Sequence, residues 1–392
     1  MAVSINFQLF KNFLRSQQIG GAILLLCVVV SLIIANSPIG SDFQNLLEKE
    51  LGFETSAIHL QYPIGLWIND GLMALFFLMV GLEIKRELVE GELSSPKRAA
   101  LPIFAALGGM LIPALAYVFF NNGLETGKGW GIPMATDIAF ALAIISMLGK
   151  KVPVSLKIFL AALAIVDDLG AILIIALFYT NELHVNPLLY AAGIFGMLLL
   201  FNRFGVKKLI FYLIPGIFLW YFVHLSGIHA TIAGVLLAFT VPTNPVKEIS
   251  PLEKLEHGLV APVNYFIMPL FALANTNIRF ESTMLEGLYS PLGLGIITGL
   301  FLGKPVGVVL FSFISVKLGL SKLPSHSTWK HILGLGFLAG IGFTMSIFIS
   351  LLSFSNPQFT AEAKFSILVG SVISGLAGFI ILNNLSKKNK PV

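Results

Sequence analysis

From Ile19 to Ala35 the sequence runs through GGAILLLCVVVSLII without a charge, a stretch within the roughly 17–25 apolar residues that carry a helix across a bilayer. Runs of this kind recur to the C-terminus. That recurrence constrains the fold more than any other feature, because an 18-residue apolar window reads as a membrane-spanning helix. Composition agrees: 56% of the 392 residues are hydrophobic and 11% charged, with mean hydropathy +0.88. The expected fold class is an all-α polytopic membrane protein, one integral domain over 1–392. Breaks at charged or Pro/Gly-rich stretches give twelve spans, near 19–37, 64–86, 99–120, 131–149, 152–180, 186–203, 209–226, 228–243, 258–277, 291–318, 331–354 and 362–384. The least certain division is the one at Ser226-Gly227.

A formal charge of +5 would suggest nucleic acid in a soluble chain, but here the basic residues lie in short loops. Of the 25, 20 fall on the side of the N-terminus, Lys49, Lys128, Arg279 and Lys364 fall opposite, and Lys304 alone sits deep in a span. The positive-inside rule then places both termini in the cytoplasm, and topology explains the basic residues better than a nucleic-acid partner, so none is expected. The N-terminal MAVSINFQLFKNFLRSQQ reads as a polar, amphipathic approach to the first span rather than a cleaved leader. Cys27, the one cysteine, lies in LLLCVVV and reads as a small core residue. The longest external loop, 38–63, contains TSAIHLQ, which suits a short strand; a soluble ornament and a dimer contact are both open readings of it.

Removing the loops leaves Asp70, Asp137, Asp167, Asp168 and Lys304 inside the membrane, with Glu83 near a cytoplasmic end. Each such charge costs about 2.5–3.5 kcal/mol at a helix centre, and ionisable residues kept there mark ion or proton paths. The adjacent pair in AIVDDLGAILII is the most expensive, and no structural requirement explains it. Two spans also carry helix breakers at depth. GWGIPMATDIAF sets Gly129, Gly131 and Pro133 before Thr136-Asp137, and LAGIGFTMSIF sets Gly340 and Gly342 before Thr344 and Ser346. Interrupted helices leave free carbonyls and opposed helix ends around a cavity. An acid such as Asp137 then compensates N-terminal ends, and a base such as Lys304 compensates C-terminal ones.

WINDGLMALFFLMVGLEIKRE, GWGIPMATDIAFALAI, ALAIVDDLGAILIIA, SGIHATIAGV, LEHGL, PLFALAN, GKPVG and GIGFTMSIFI follow one another over essentially the whole chain. In this order they closely resemble the NhaA-type sodium/proton antiporters. The resemblance implies inverted-topology repeats with two discontinuous crossed helices, segments four and eleven, a pattern by which this family is known. It implies that Asp168 is the principal cation ligand, Asp167 its partner in ion binding and proton exchange, and Lys304 the base that pairs with Asp167. Thr136 and Asp137 match the broken fourth helix, Asp70 a polar position in the second, and His229 a histidine read as structural. Glu83, Arg86, Glu87, Glu256 and His257 match a cytoplasmic cluster associated with pH control. Val260 and Glu253-Lys254 depart from that cluster, where regulated members carry a histidine and basic residues.

The chemistry of the residues gives a mechanism. Adjacent helical residues point about 100° apart, so Asp167 and Asp168 address different partners in one cavity. Protons and a small hard cation then compete for the same oxygens, and Asp167, Asp168, Thr136 and backbone carbonyls form an oxygen-only ligand set. Sodium or lithium fits by resemblance. With Lys304 as a second titrating group, two protons enter per sodium extruded, an electrogenic exchange. The expected location is the bacterial inner membrane, with no cofactor and no enzymatic activity, since no nucleophile–base or metal-ligand spacing appears. A sodium-coupled solute symporter of similar fold is the alternative, and it needs polar groups for an organic substrate that are scarce here.

Overall fold

The computed structural model describes residues 7–55, 60–180, 183–243, 249–280 and 282–388. Its helices follow in order: α1 (Phe7–Ala35), α2 (Gly40–Glu48), α3 (Ile64–Val89), α4 (Pro96–Asn121), a 3₁₀ segment Glu125–Met134, α5 (Ile138–Met147), α6 (Val154–Phe178), α7 (Val185–Arg203), α8 (Ile210–Leu225), α9 (Ile232–Thr240), α10 (Pro251–Asn275), α11 (Ser282–Gly287), α12 (Pro291–Lys317), α13 (Trp329–Ala339), α14 (Phe343–Ser353) and α15 (Pro357–Lys388). Among the described residues, eight helices are long and apolar enough to cross a membrane. Two further pairs, the 3₁₀ segment with α5 and α13 with α14, bend by 40° and 47° at short breaks. With the shorter α8 and α9, the twelve expected segments are all present, and the broken ones are the fourth and eleventh.

Local chemistry sets the ends. α10 opens on a capping box, in which Ser250 accepts from the Glu253 N–H while the Glu253 carboxylate accepts from the Ser250 N–H, and Pro251 occupies the first helical position. At the start of α12, Ser290 accepts from the Gly293 N–H and Pro291 takes the first helical position, without a reciprocal bond. Between α8 and α9 the chain turns at Gly227, whose φ of 85° only glycine adopts freely. The break expected at Ser226-Gly227 stands.

Two departures from the sequence reading have physical causes. The fourth segment begins at Glu125, earlier than the expected 131, because the glycine-rich stretch winds as a 3₁₀ helix of ten residues, well beyond the usual three or four. The 38–63 loop contains α2, which was not expected; its apolar residues Phe43, Leu46 and Leu47 line an apolar cavity of about 820 Å³. The TSAIHLQ strand falls mainly on 56–59, outside the described residues; a two-residue antiparallel pair, β1 (Glu50–Leu51) and β2 (Tyr62–Pro63), flanks it.

Two compact units emerge from the backbone contacts, one comprising Met1–Ile23, Glu92–Ala171 and Phe280–Val392, the other Leu24–Gly91 and Ile172–Arg279. In the first, α4 and α12 touch along their lengths. Their backbones meet where a side chain on Gly307 would overlap the Gly108 carbonyl, and one on Gly108 the Gly307 carbonyl. Close approach through glycine is the usual way membrane helices gain contact, since lipid offers no hydrophobic drive. Gly307→Val is expected to destabilise the protein by roughly 1–3 kcal/mol or more, seen as a lowered melting temperature in detergent with reduced membrane abundance. In the second unit α3 packs on α9 and α10, and α8 on α7 and α9.

Candidate functional site

Three residues, Ala135–Asp137, run between the 3₁₀ segment and α5, and Ala135 and Asp137 are both extended (ψ 147° and 99°). Gly340–Gly342 separates α13 from α14. Each break leaves helix ends whose N–H and C=O groups lack intrahelical partners. The two breaks supply each other. The Asp137 N–H donates to the Ile341 carbonyl at 2.6 Å, Thr136 Oγ1 lies 2.8 Å from the Ala339 carbonyl, and Ser346 Oγ donates to the Ile132 carbonyl at 2.6 Å.

The Asp137 carboxylate joins the two N-terminal ends. Its Oδ1 accepts from the Phe140 N–H of α5 at 3.1 Å, and its Oδ2 accepts from the Thr344 N–H of α14 at 3.1 Å and from the Thr344 hydroxyl. One buried acid thus caps two helices, each with partial positive charge at that end. At the opposite ends, the Lys304 ammonium donates to the Met134 carbonyl, the last of the 3₁₀ segment, and forms an ion pair with Asp167 Oδ2.

Thr136 connects the breaks to the carboxylate pair. Its Oγ1 stands 2.6 Å from Asp167 Oδ2 as well as 2.8 Å from the Ala339 carbonyl. A hydroxyl carries one hydrogen, so it satisfies one of these acceptors at a time. Asp167 and Asp168 are consecutive on α6, and both are buried together with Thr136, Asp137 and Lys304. Asp167 Oδ1 has no hydrogen-bond partner among the described residues. The sequence reading brought the same five residues to one place. It missed the carbonyls of Met134 and Ala339, which carry no side-chain signal and become available only where helices stop.

Lys304 follows a π-helical turn, Gly299–Gly303. Asp70 lies within another, Trp67–Leu72, in the second unit. Its carboxylate faces His224 Nδ1 and His229 Nε2, each at 3.5 Å, while Trp220 donates to the Asp70 carbonyl at 3.2 Å and stacks on His224. Asp70 and His229, singled out in the sequence, therefore meet each other. His224 was missed, although it lies one helical turn after Trp220 and five residues before His229.

The expected cytoplasmic cluster is assembled in part. Arg86 Nε donates to both Glu256 oxygens, at 2.9 and 3.2 Å, and Arg86 Nη1 lies 3.2 Å from Glu87. This joins α3 to α10. Glu83 sits half-buried one turn before Arg86, whereas His257 is exposed. Lys85, not expected in any role, donates to the Phe239 and Val241 carbonyls at 2.7 and 2.5 Å and so caps the C-terminus of α9.

Comparison with known proteins gives the family. The family described as Na+/H+ antiporter 1 matches residues 11–382. A Na+/H+ antiporter NhaA 2 of Flavobacterium johnsoniae is 62% identical over 391 residues, covering 100% of this chain and 96% of the relative. The NhaA antiporter of Flavobacterium psychrophilum is 52% identical, covering 97% of each. The solved structure of the sodium proton antiporter MjNhaP1 from Methanocaldococcus jannaschii superposes with a TM-score of 0.54 at 14% identity, covering 98% of this chain and 99% of that one, a likeness of fold. The chain is a multi-pass membrane protein that belongs to the Na+/H+ antiporter 1 family.

Proposed function

We propose that this chain extrudes sodium, or lithium, in exchange for protons by letting the two ions compete for Asp167 and Asp168. The observation that carries the reading is the buried constellation of two adjacent carboxylates, one lysine and one shared hydroxyl, beside two broken helices. Counting charges shows why it suits exchange. Asp137 faces two helix N-termini and Asp167 pairs with Lys304, and Asp168 adds a second buried carboxylate next to that pair. A proton or a sodium ion on the carboxylate pair lowers the cost of burying its charge. The loaded forms are the ones able to change orientation.

Thr136 follows the load. With Asp167 ionised, the hydroxyl hydrogen turns to its carboxylate and the Ala339 carbonyl goes without. When a cation or a proton occupies the carboxylate, the oxygen of Thr136 serves it and the hydrogen turns to Ala339. Occupancy is thereby felt at the end of α13. Lys304 supplies the second proton: when sodium draws Asp167 into its shell, the lysine loses its counter-charge and releases its own. Two protons then exchange for one sodium, moving one net charge per cycle. The whole chain acts as one antiporter of the bacterial inner membrane, with both termini cytoplasmic, embedded in lipid and open to forming homodimers. Glu83, Arg86, Glu87, Glu256 and His257 tune its pH response, with Val260 and Glu253-Lys254 altering the range.

In proteoliposomes with an acid interior, added sodium or lithium is expected to collapse the pH gradient, and choline is not. A potential that assists net charge movement is expected to speed the exchange, each 100 mV being worth about 2.3 kcal/mol per charge. A rate indifferent to potential contradicts the two-for-one stoichiometry, and a response requiring an organic co-substrate favours a symporter.

A further inference from the structure

The backbone that presents Lys304 contains a defect that the sequence itself imposes. In the π-turn Gly299–Gly303 the Lys304 N–H reaches back five residues to the Gly299 carbonyl. It therefore does not serve Leu300, four residues back. The next residue in that register is Pro305, which has no N–H to give. The Leu300 carbonyl is left without a backbone donor in a buried helix, where an unmet polar group is costly. The donor comes from another helix: Ser374 Oγ on α15 donates to Leu300 O at 3.3 Å.

One turn earlier on α15, Ser371 performs a matching task. The N-cap of α14 is Gly342, which has no side chain, so the first N–H groups of α14 need partners from elsewhere. Asp137 takes the Thr344 N–H, and Ser371 Oγ accepts the Phe343 N–H at 3.2 Å. All three serine and glycine contacts converge, since a side chain on Gly340 would overlap the Leu300 carbonyl and stand 2.9 Å from Ser374 Oγ.

We propose that Ser371 and Ser374 are positioning residues of the transport site, Ser374 fixing the π-turn that aims Lys304 at Asp167 and Ser371 fixing the helix end that faces Asp137. This rests on the antiport reading above. The twelfth segment then belongs to the working parts of the transporter, joining the lysine helix to the broken eleventh. Among charged groups, Lys304 faces Asp167, with Asp137 on the neighbouring break. Asp168 follows Asp167 on α6, and the elements packed on the π-turn and on the breaks carry further charges at Lys97 and Arg98 of α4, Glu125 and Lys128 of the 3₁₀ segment, Lys317 of α12, Lys330 and His331 of α13, and Glu362, Lys364, Lys387 and Lys388 of α15.

Without the Ser374 hydroxyl the π-turn relaxes, the ammonium withdraws from Asp167, and the site holds sodium less firmly. Ser374→Ala is therefore expected to raise the KM for sodium at the acid end of the pH profile by roughly three- to tenfold, one buried hydrogen bond's worth. The maximal rate at alkaline pH and saturating sodium stays near wild type, and Ser374→Thr restores the acid-side KM. Ser366→Ala removes a hydroxyl of the same helix that has no partner among the described residues, and is expected to change neither quantity. The assay is sodium-driven exchange by the purified full chain in proteoliposomes across pH, with Asp168→Asn alongside. An unchanged pH profile for Ser374→Ala, even with reduced thermal stability, overturns the positioning role. An active Asp168→Asn instead overturns the antiport reading beneath it.

Discussion

Asp168→Asn is expected to reduce sodium-dependent proton movement to that of empty vesicles while leaving the protein folded. The argument is electrostatic. Lys304 already balances Asp167 in an ion pair, and Asp137 is held by donors from α5 and α14. Asp168 adds the second carboxylate of the pair that receives an incoming cation. Asparagine keeps an oxygen of similar reach but removes one of the two carboxylate charges that hold sodium in a buried site, a loss of several kcal/mol. Folding is spared because a neutral amide is cheaper to bury than a carboxylate. Calorimetry should find no sodium binding, and melting in detergent should be at or above the wild-type temperature. Exchange at the wild-type rate would make the carboxylate pair structural and move the search toward Asp137.

Lys304→Met is expected to have the largest effect on stability, about 3–5 kcal/mol lost, the usual consequence of stranding one member of a buried pair. Two partners are stranded at once, the Asp167 carboxylate and the Met134 carbonyl. Asp167→Asn in the Lys304→Met background removes the stranded charge and should recover most of the loss. The double variant is then neutral at both positions and still carries Asp168. It should bind sodium with release of one proton at most, and its exchange should lose its dependence on membrane potential. Thermal unfolding of the four proteins in the cycle gives the coupling energy directly. If Lys304→Met melts like the wild type, the pair contributes nothing to the fold, and the ammonium has no hold on either partner.

The segments were legible because an apolar helix crossing lipid must be long and nearly uncharged, and that requirement is written residue by residue. The carboxylate pair was legible for the converse reason: Asp167 and Asp168 cost too much at depth to be there without a use. What escaped depends on register and on distant partners. The 3₁₀ winding of Glu125–Met134 keeps the same residues as an α-helix and changes only which carbonyl each N–H meets. The π-turn before Lys304 is hinted at by Pro305, but its consequence, an unmet carbonyl at Leu300, becomes visible only when Ser374 is found beside it. Ser371 and Ser374 read in the sequence as ordinary small residues of a packed membrane helix. His224 similarly gains its meaning from Asp70, more than 150 residues earlier.

The most direct test is the number of protons released when sodium binds. Isothermal titration of the purified protein with sodium, repeated in buffers of different ionisation enthalpy, gives that number without any need for transport. Competition at the carboxylates, with Lys304 as the second donor, predicts about two protons per sodium near the midpoint of the pH profile and none bound or released in Asp168→Asn. A value of one would keep the competition and strip Lys304 of its part in coupling. Sodium binding with no proton release at any pH would contradict the account.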